Sequence, residues 1–402
     1  MIHIAGGTYW EECKFPTWNA LFGSAGRAAV ALEEMSDDIR LSTFGSQTTR
    51  QNREVLGKFS IHNYVEAPDV RFRYFHCLSR PDIHPPQHLL KRTPSFVVTD
   101  ENILRFGAIE GDIKVQGERV VYDPQSAFDP EPFGVNGSTA DSLAIVCNSY
   151  EASLWTQEQN CDEAAKIILG SQNAEVVVIK KGFEGAFVYT ANNPPQKINS
   201  YMTPRVFSIG SGDVFSAVFA HFWAEKRQDP VHAAKQASLA TAFYCSTQSL
   251  PISPGQLDDA STHPPIFTLG SSSNRPQYDI YLAGPFFTMP QRWLVEEALK
   301  ALQEAGLKVF SPYHAVGSGS AAVVGPLDIA ALNDSAAVLA LIDGLDSGTI
   351  YEIGYAAAKD IPIVAFSEQV GTEDLKMIEG NGAMVQSDFT TAIYQAKWKA
   401  LQ

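Results

Sequence analysis

A change of composition over residues 251–277 constrains the fold of this 402-residue chain more than any other feature. Proline, glycine and serine crowd together there, which is typical of a linker between domains. On both sides of it, strand-like apolar segments alternate with helix-like segments, and this alternation predicts layered α/β domains. We therefore predict an α/β domain over residues 1–255, a linker over residues 256–277, and a smaller doubly wound domain with a parallel sheet over residues 278–402.

The charge balance restricts the class of partner. The chain carries 30 Lys and Arg against 45 Asp and Glu, a net charge of −15, whereas a protein that binds DNA or RNA polymers needs a basic face for the phosphates. We therefore expect a small-molecule partner, such as a nucleoside, nucleotide or sugar, and no nucleic-acid polymer. No apolar run approaches 18 residues and no signal peptide is recognisable, so we expect no membrane partner.

The cysteines indicate the cellular compartment. The chain has 5 of them, they are scattered, and none forms a CxxC pair. This pattern is typical of reduced thiols in a cytoplasmic protein, with neither a disulfide framework nor a zinc site. We therefore predict a cytoplasmic location.

The first chemical motif is a glycine-rich turn, Ser208-Ile209-Gly210-Ser211-Gly212-Asp213, directly before an apolar helix-like segment. Glycines allow a sharp turn that exposes N–H groups, and the helix dipole adds positive potential there. Gly210, Ser211 and Gly212 are therefore candidates for an anion hole that stabilises a transferred phosphoryl group. Asp213 is the candidate general base for the attacking hydroxyl. The alternative is an ordinary glycine loop in which Asp213 only caps the helix.

The second motif is an acidic segment, residues 346–355, which begins with Asp346 and contains Glu352. We predict a helix over residues 351–358, so Glu352 is expected at its start, where free N–H groups stabilise the carboxylate anion. Asp328 lies upstream, before a predicted buried strand. Several carboxylates at one edge of a parallel sheet suit the chemistry of glycosidic bonds. The alternative is that Glu352 and Asp346 serve only as helix-cap and turn residues.

Residues 1–255 resemble the ribokinase-like (PfkB) carbohydrate kinases in four segments that follow the family's order. Residues 22–29, 148–151, 181–186 and 207–215 hold the places of its first signature, its N-x-x-E motif, its glycine turn and its GAGD signature. The resemblance implies a ribokinase-like α/β/α fold, with ATP as phosphoryl donor and Mg²⁺ as cofactor. It assigns ATP contacts to Lys181, Gly182 and Gly185, and an indirect role in placing Mg²⁺ to Asn148 and Glu151.

The substrate end of this resemblance departs from the family. The resemblance places Gly23, Arg27 and Glu11 at the substrate, but Arg27 replaces the family's Asn and Glu11 replaces its Asp. Phe207 stands where the family has an Asp that helps to hold a monovalent cation. Because the catalytic turn is retained, these departures favour an altered substrate over a dead enzyme.

Residues 278–366 resemble the nucleoside 2-deoxyribosyltransferase family, on the segment Ile280-Tyr281-Leu282-Ala283-Gly284-Pro285 and on residues 346–356. The resemblance implies a flavodoxin-like or Rossmann-like fold with Glu352 as the nucleophile that forms a glycosyl-enzyme. It further implies that Asp328 contacts the base, that Asp346 and Tyr281 orient the sugar and Glu352, and that Gly284 lies in the substrate turn. Asn381 falls where relatives reach into a neighbouring subunit. Ala336 replaces an Asp of many relatives.

Together these segments favour a bifunctional enzyme that phosphorylates a hydroxyl and cleaves an N-glycosidic bond, in either order. Transfer to a second base and transfer to water both stay open, and we expect a homo-oligomer, since both families often self-associate. The alternatives are a nucleotide-sensing regulatory protein whose kinase fold only binds ligand, and an active transferase with the kinase fold as scaffold. Residues 311–320 suit either a phosphate-binding segment or a flexible loop, and we favour the loop.

Overall fold

The computed structural model describes residues 1–52, 57–90, 93–126, 129–266, 275–317 and 319–401. The chain divides into two compact units, Met1–Thr203 with Phe207–Pro265, and Pro204–Val206 with Ile266–Gln402. Residues 267–274 of the predicted linker, and Ser318 of the predicted loop over residues 311–320, lie outside the described residues. The predicted domain limits at residues 255 and 278 stay predictions.

The described strands of the first unit form two sheets. Their bounds are β1 (Ile2–Gly7), β2 (Trp10–Phe15), β3 (Trp18–Leu21), β4 (Ile39–Gly45), β5 (Ser60–Glu66), β6 (Arg71–His76), β7 (Asp82–His84), β8 (Thr93–Phe106), β9 (Gly111–Asp123), β10 (Thr139–Asn148), β11 (Val176–Lys180), β12 (Ala186–Thr190) and β13 (Asn193–Ile198). The large sheet has the order β13-β12-β11-β10-β9-β8-β1-β4-β5, and the small one β3-β2-β6-β7. In the large sheet β12 pairs antiparallel with both β11 and β13, and the other described pairs are parallel.

Helices cover both faces of the large sheet. Val176 and Val178 of β11 belong to one apolar cluster, whereas Val177 and Ile179 belong to a second. Because successive strand residues point to opposite faces, the clusters lie on the two sides of the sheet. The α/β/α layering predicted for this unit is therefore confirmed. The helices are α1 (Gly23–Ala31), α2 (Gln47–Gln51), α3 (Ser149–Thr156), α4 (Cys161–Gln172), α5 (Ser211–Ala220), α6 (Pro230–Thr247) and α7 (Pro254–Ala260).

The connection between β8 and β9 contains no helix, although the two strands are parallel. A straight strand of 14 residues is about 46 Å long, whereas the connection over residues 107–110 spans at most about 17 Å. Both strands must therefore fold back on themselves. Gly117 lies at such a corner of β9, because a Cβ there would come within 2.9 Å of Val120 Cγ2.

The second unit contains a single described sheet of five parallel strands, in the order β15-β14-β16-β17-β18. Relative to the chain this is the order 2-1-3-4-5 of flavodoxin-like folds, so the predicted doubly wound fold is confirmed. Its elements are β14 (Tyr278–Ala283), α8 (Met289–Glu304), β15 (Val309–Phe310), α9 (Pro312–Ala315), α10 (Ala321–Asn333), β16 (Ser335–Leu341), α11 (Ser347–Ala358), β17 (Ile363–Phe366), α12 (Thr372–Gly380), β18 (Met384–Gln386) and α13 (Phe389–Leu401).

No helix among the described residues combines the length and the apolar character needed to cross a bilayer.

Candidate functional site

The glycine turn of the first unit has the geometry of an anion site. Gly210 has a φ of 76° and immediately precedes α5, so the backbone adopts the left-handed conformation that glycine allows. The first backbone hydrogen bond of the helix runs from Val214 N to Gly210 O, over 3.1 Å. The N–H groups of Gly212 and Asp213 therefore lie in the open first turn, where helices bind anions.

Arg27 forms a buried ion-pair cluster with the candidate base. The Arg27 side chain is fully buried, and its guanidinium donates to Asp213 Oδ2 over 2.7 Å and to Glu11 Oε2 over 2.6 Å. It also packs against the turn, because a Cβ on Gly210 would lie 2.1 Å from Arg27 Cζ. The positive charge of Arg27, which the sequence assigned to substrate recognition, is therefore paired with two carboxylates of the same chain. That role of Arg27, and those of Glu11 and Gly23, stay predictions.

A chain of polar side chains that sequence analysis missed leads to the same carboxylate. Gln125 Nε2 donates to Asp213 Oδ1, and Ser24 Oγ donates to Gln125 Oε1. The Tyr9 hydroxyl lies 3.1 Å from Ser24 Oγ. Gln125 also lines a cavity of about 400 Å³, together with Arg105 of β8 and residues that follow β8 and β9. Both oxygens of Asp213 are thus engaged by side chains of the same chain.

A second missed cluster lies behind the anion turn. Lys180 Nζ donates to Asp123 Oδ2 over 2.7 Å, and Ser216 Oγ donates to the same oxygen over 2.6 Å. A Cβ on Gly212 would lie 3.4 Å from Lys180 Nζ, so this ammonium adds positive charge beside the turn. Burial raises the pKa of Asp123, and Lys180 opposes that shift. The sequence signal that could have found this cluster is the pair Lys180 and Lys181 at the end of β11.

Lys181, the lysine that sequence analysis selected, has other partners. Its Nζ lies 3.3 Å from Glu184 Oε2 and 5.6 Å from the ring centre of Phe187. Gly182 and Gly185 both have positive φ, and a Cβ on Gly185 would come within 2.0 Å of Ile198 O. These glycines are therefore needed for the turn itself. Their predicted contact with ATP, and that of Lys181, are not tested by these features.

Asn148 and Glu151 form a reciprocal helix cap. Asn148 Oδ1 accepts from Glu151 N, and Glu151 Oε2 accepts from Asn148 N, each over 2.8 Å. Burial and the nearby Asp123 raise the pKa of Glu151 to about 7. Among the described residues, no group of three or more His, Cys, Asp or Glu side chains is placed to hold a metal ion. The indirect role in placing Mg²⁺ that the resemblance assigns to Asn148 and Glu151 stays a prediction.

The candidate site of the second unit is centred on Glu352. The hydroxyl of Tyr281, which is fully buried on β14, donates to Glu352 Oε1 over 2.6 Å. The pKa of Glu352 is raised to about 7, mainly by burial; the Tyr281 hydrogen bond opposes this rise, and the negative charges of Asp328 and Asp346 add to it. β14 and β16 are neighbours at the point where the strand order reverses, which is where doubly wound folds bind ligands.

The predicted position of Glu352 at a helix start is wrong. Helix α11 begins at Ser347, not at Tyr351, and Asp346 is its N-cap, with Oδ2 accepting from Thr349 N over 2.9 Å. Glu352 therefore lies in the second turn, where its backbone N–H is already bonded within the helix. The carboxylate is not stabilised as an anion there, and its raised pKa shows the opposite effect.

Asp328 lies on α10 and is close enough to raise the pKa of Glu352. Its Oδ1 atom is buried without a hydrogen-bond partner among the described residues. Burial raises the pKa of the Asp328 carboxyl, so a proton is retained there more readily than on an exposed aspartate.

The other two predicted residues of this unit have structural contacts. A Cβ on Gly284, which follows β14, would lie 3.0 Å from Leu341 Cβ, so glycine permits close packing there. Asn381 follows α12, is exposed, and donates from Nδ2 to Met377 O over 2.6 Å. Neither feature tests the predicted substrate role of Gly284 or the predicted reach of Asn381 into a neighbouring subunit.

Two family models match the chain, one in each unit. Residues 138–254 match the pfkB family carbohydrate kinase model, and residues 280–388 match the nucleoside 2-deoxyribosyltransferase model. The two resemblances drawn from the sequence are therefore confirmed. Asp213 and Asn148 lie inside the first match, and Glu352, Asp328 and Tyr281 inside the second, whereas Arg27 and Gln125 lie outside both.

Relatives that are named as kinases match part of the chain. The 5-dehydro-2-deoxygluconokinases of Listeria monocytogenes serotypes 4a and 4b are 30% identical over 93 residues. These 93 residues are 22% of this chain, and they span only 29% of the length of those relatives.

Two solved structures are also similar. A nucleoside kinase of Burkholderia thailandensis in complex with inosine is 18% identical, with a TM-score of 0.47 over 64% of this chain and 97% of its own. The ribokinase of Arabidopsis thaliana with ribose and ATP is 11% identical, with a TM-score of 0.49 over 65% of this chain and 98% of its own.

Proposed function

We propose, because one chain joins a segment of the pfkB carbohydrate kinase family to a segment of the nucleoside 2-deoxyribosyltransferase family, that this protein is a bifunctional enzyme of nucleoside or sugar metabolism. The first unit transfers a phosphoryl group from ATP to a hydroxyl of a sugar or nucleoside. The second unit cleaves an N-glycosidic bond and passes the sugar to water or to a second base.

The observation that carries this proposal is the buried pair of Tyr281 and Glu352, with Asp328 nearby. Glu352 attacks the anomeric carbon and forms a glycosyl-enzyme, in the manner of retaining glycosidases. The Tyr281 hydroxyl holds one oxygen of Glu352 in place, which leaves the other free for attack. Asp328, whose Oδ1 has no hydrogen-bond partner among the described residues, contacts the base and assists its departure.

In the first unit, Asp213 accepts the proton of the attacking hydroxyl and the N–H groups of the glycine turn stabilise the transferred phosphoryl group. Lys180 adds positive charge beside Gly212. Glu151 would help to hold the water shell of Mg²⁺, and the ion would supply charge that neutralises donor phosphates. Support for ATP as the donor comes from the pfkB match.

The test is incubation of the full-length protein with a panel of nucleosides and nucleoside 5′-monophosphates, with and without ATP and Mg²⁺. Chromatography follows the free base, and ADP release follows phosphoryl transfer. We expect base release that Glu352→Ala abolishes and ADP release that Asp213→Asn abolishes. If no base appears under either condition, and Glu352→Ala matches the wild type, the glycosidase assignment is wrong. Addition of a second free base separates transfer from hydrolysis.

A second candidate function is nucleotide sensing by a kinase fold that does not turn over. This function is favoured because Arg27 and Gln125 each donate a hydrogen bond to one oxygen of Asp213. Calorimetry with ATP distinguishes the two functions. Binding that Asp213→Asn leaves unchanged, without ADP release for any acceptor, supports the sensor.

A further inference from the structure

Each side-chain oxygen of Asp213 already accepts a hydrogen bond from a side chain of the same chain. Arg27 donates to Oδ2 over 2.7 Å, and Gln125 Nε2 donates to Oδ1. A general base must lie within hydrogen-bond reach of the hydroxyl whose proton it takes. If the first unit acts as the kinase proposed above, the attacking hydroxyl must reach one of these two oxygens, and a hydroxyl that takes the place of the Gln125 amide at Oδ1 must displace it.

Gln125 leaves more easily than Arg27. The Arg27 side chain is fully buried, charged, and bonded to two carboxylates, and its removal would strand both of them without a cation. Gln125 is neutral and half-buried, and its backbone has a φ of 45°, an uncommon conformation for a residue with a side chain. It also borders the cavity of about 400 Å³, into which the amide can move.

The amide of Gln125 presents a donor and an acceptor side by side. An ionised carboxylate only accepts, so the amide nitrogen faces Asp213 and the amide oxygen is left for the Ser24 hydroxyl. A hydroxyl with a second oxygen on the adjacent carbon presents the same pair of groups. In a ribofuranose, the primary hydroxyl and the ring oxygen are related in this way.

We propose that the Gln125 amide is an internal placeholder for the phosphoryl acceptor, and that the acceptor is a sugar or nucleoside with two oxygens on adjacent carbons. This inference rests on the kinase function proposed above. The attacking hydroxyl replaces Gln125 Nε2 at Asp213 Oδ1, and its neighbouring oxygen accepts from Ser24. The hydroxyl proton passes to Asp213, the hydroxyl oxygen bonds to the γ-phosphorus of ATP, and the bond to ADP breaks. Gln125 is thus a positioning and specificity residue.

Binding of inosine tests the inference without turnover. Inosine is titrated by calorimetry into full-length protein that carries a non-hydrolysable ATP analogue, for the wild type and Gln125→Ala. We expect Gln125→Ala to bind inosine about tenfold more tightly, because the ligand no longer displaces an internal amide. Adding Ser24→Ala should weaken that binding again. Gln157→Ala is the matched control, since Gln157 also has a positive φ, 61°, but is exposed and follows α3.

Turnover separates this inference from the kinase function. With no acceptor added, water enters the vacated place, so Gln125→Ala should release ADP about tenfold faster than the wild type. If Gln125→Ala binds inosine more tightly but no variant releases ADP, the role proposed for Gln125 is supported and the proposed kinase function is refuted. Inosine binding by Gln125→Ala that is no tighter than in the wild type overturns the inference, whatever the ADP rates.

Discussion

At the scale of single residues, the titration of Glu352 controls the second site. Burial and two neighbouring carboxylates raise its pKa to about 7, so half of the molecules carry the protonated, non-nucleophilic form near neutral pH. We expect base release to rise with pH up to about 7, and to fall about tenfold for each unit below it. A profile of kcat/KM against pH, with the released base measured by chromatography, checks this expectation.

Tyr281 supplies the variant for that profile. Its hydroxyl lowers the pKa of Glu352, so Tyr281→Phe should move the acidic limb to higher pH in addition to lowering the rate. Tyr278→Phe is the matched control on the same strand, where the Tyr278 ring packs against Phe310. An acidic limb at the same pH in Tyr281→Phe would show that the hydroxyl does not set the titration of Glu352.

Gly210 permits the close contact between Arg27 and the anion turn. Gly210→Ala puts a Cβ in the left-handed region, at φ 76°, and within 2.1 Å of Arg27 Cζ. We expect a loss of about 1–3 kcal/mol in the free energy of unfolding, measured by urea denaturation, together with loss of ADP release. Gly255→Ala is the control, because no atom lies within 4 Å of the added Cβ. Equal stability of the two variants would contradict the close packing at Arg27.

The sequence predicted the residues that motifs contain, and missed those that only tertiary contacts bring in. Asp213 and Glu352 were identified because each lies in a segment with a recognisable spacing. Gln125 is 88 residues from Asp213 along the chain, so no local pattern links the two side chains. Lys180 was missed in favour of Lys181, because only the direction in which β11 ends decides which of two adjacent lysines faces the turn.

At the scale of elements, the α/β alternation was predictable but two details were not. The start of α11 was placed at residue 351 because Ser347, Gly348 and Thr349 resemble a loop, whereas the cap by Asp346 starts the helix at Ser347. The parallel pairing of β8 and β9 without a crossover helix also escaped the sequence. Such folding back depends on contacts at corners such as Gly117, and not on periodicity.

The cap of α3 separates structural and functional roles of Asn148. Asn148→Ala should cost about 1 kcal/mol of unfolding free energy, since it removes the cap, whereas serine caps as well as asparagine. We therefore expect Asn148→Ser to keep the stability of the wild type, while a higher Mg²⁺ concentration is needed for half-maximal ADP release. Asn160→Ala, which removes the cap of α4, is the control for a cap without a metal role. Unchanged Mg²⁺ dependence in Asn148→Ser would leave Asn148 as a cap alone.

At the scale of the whole molecule, the two candidate sites are each built from residues of a single compact unit. Asp213 with Arg27 and Gln125 belongs to the first, and Glu352 with Tyr281 and Asp328 to the second. Each chemical step therefore has its own general base or nucleophile. This separation predicts that a substitution in one site leaves the chemistry of the other intact when its substrate is supplied directly.

Because the two sites are separate, variants of each site can determine the order of the two reactions. If phosphorylation comes first, base release from a nucleoside requires ATP, and Asp213→Asn abolishes it although release from the nucleoside 5′-monophosphate persists. If cleavage comes first, base release is the same with and without ATP. Glu352→Ala then abolishes the ADP release that an added nucleoside causes, but not the ADP release that the added free sugar causes. Chromatography of base and ADP in the two variants decides between these orders. If Asp213→Asn releases no base from either the nucleoside or its 5′-monophosphate, the two sites are not independent.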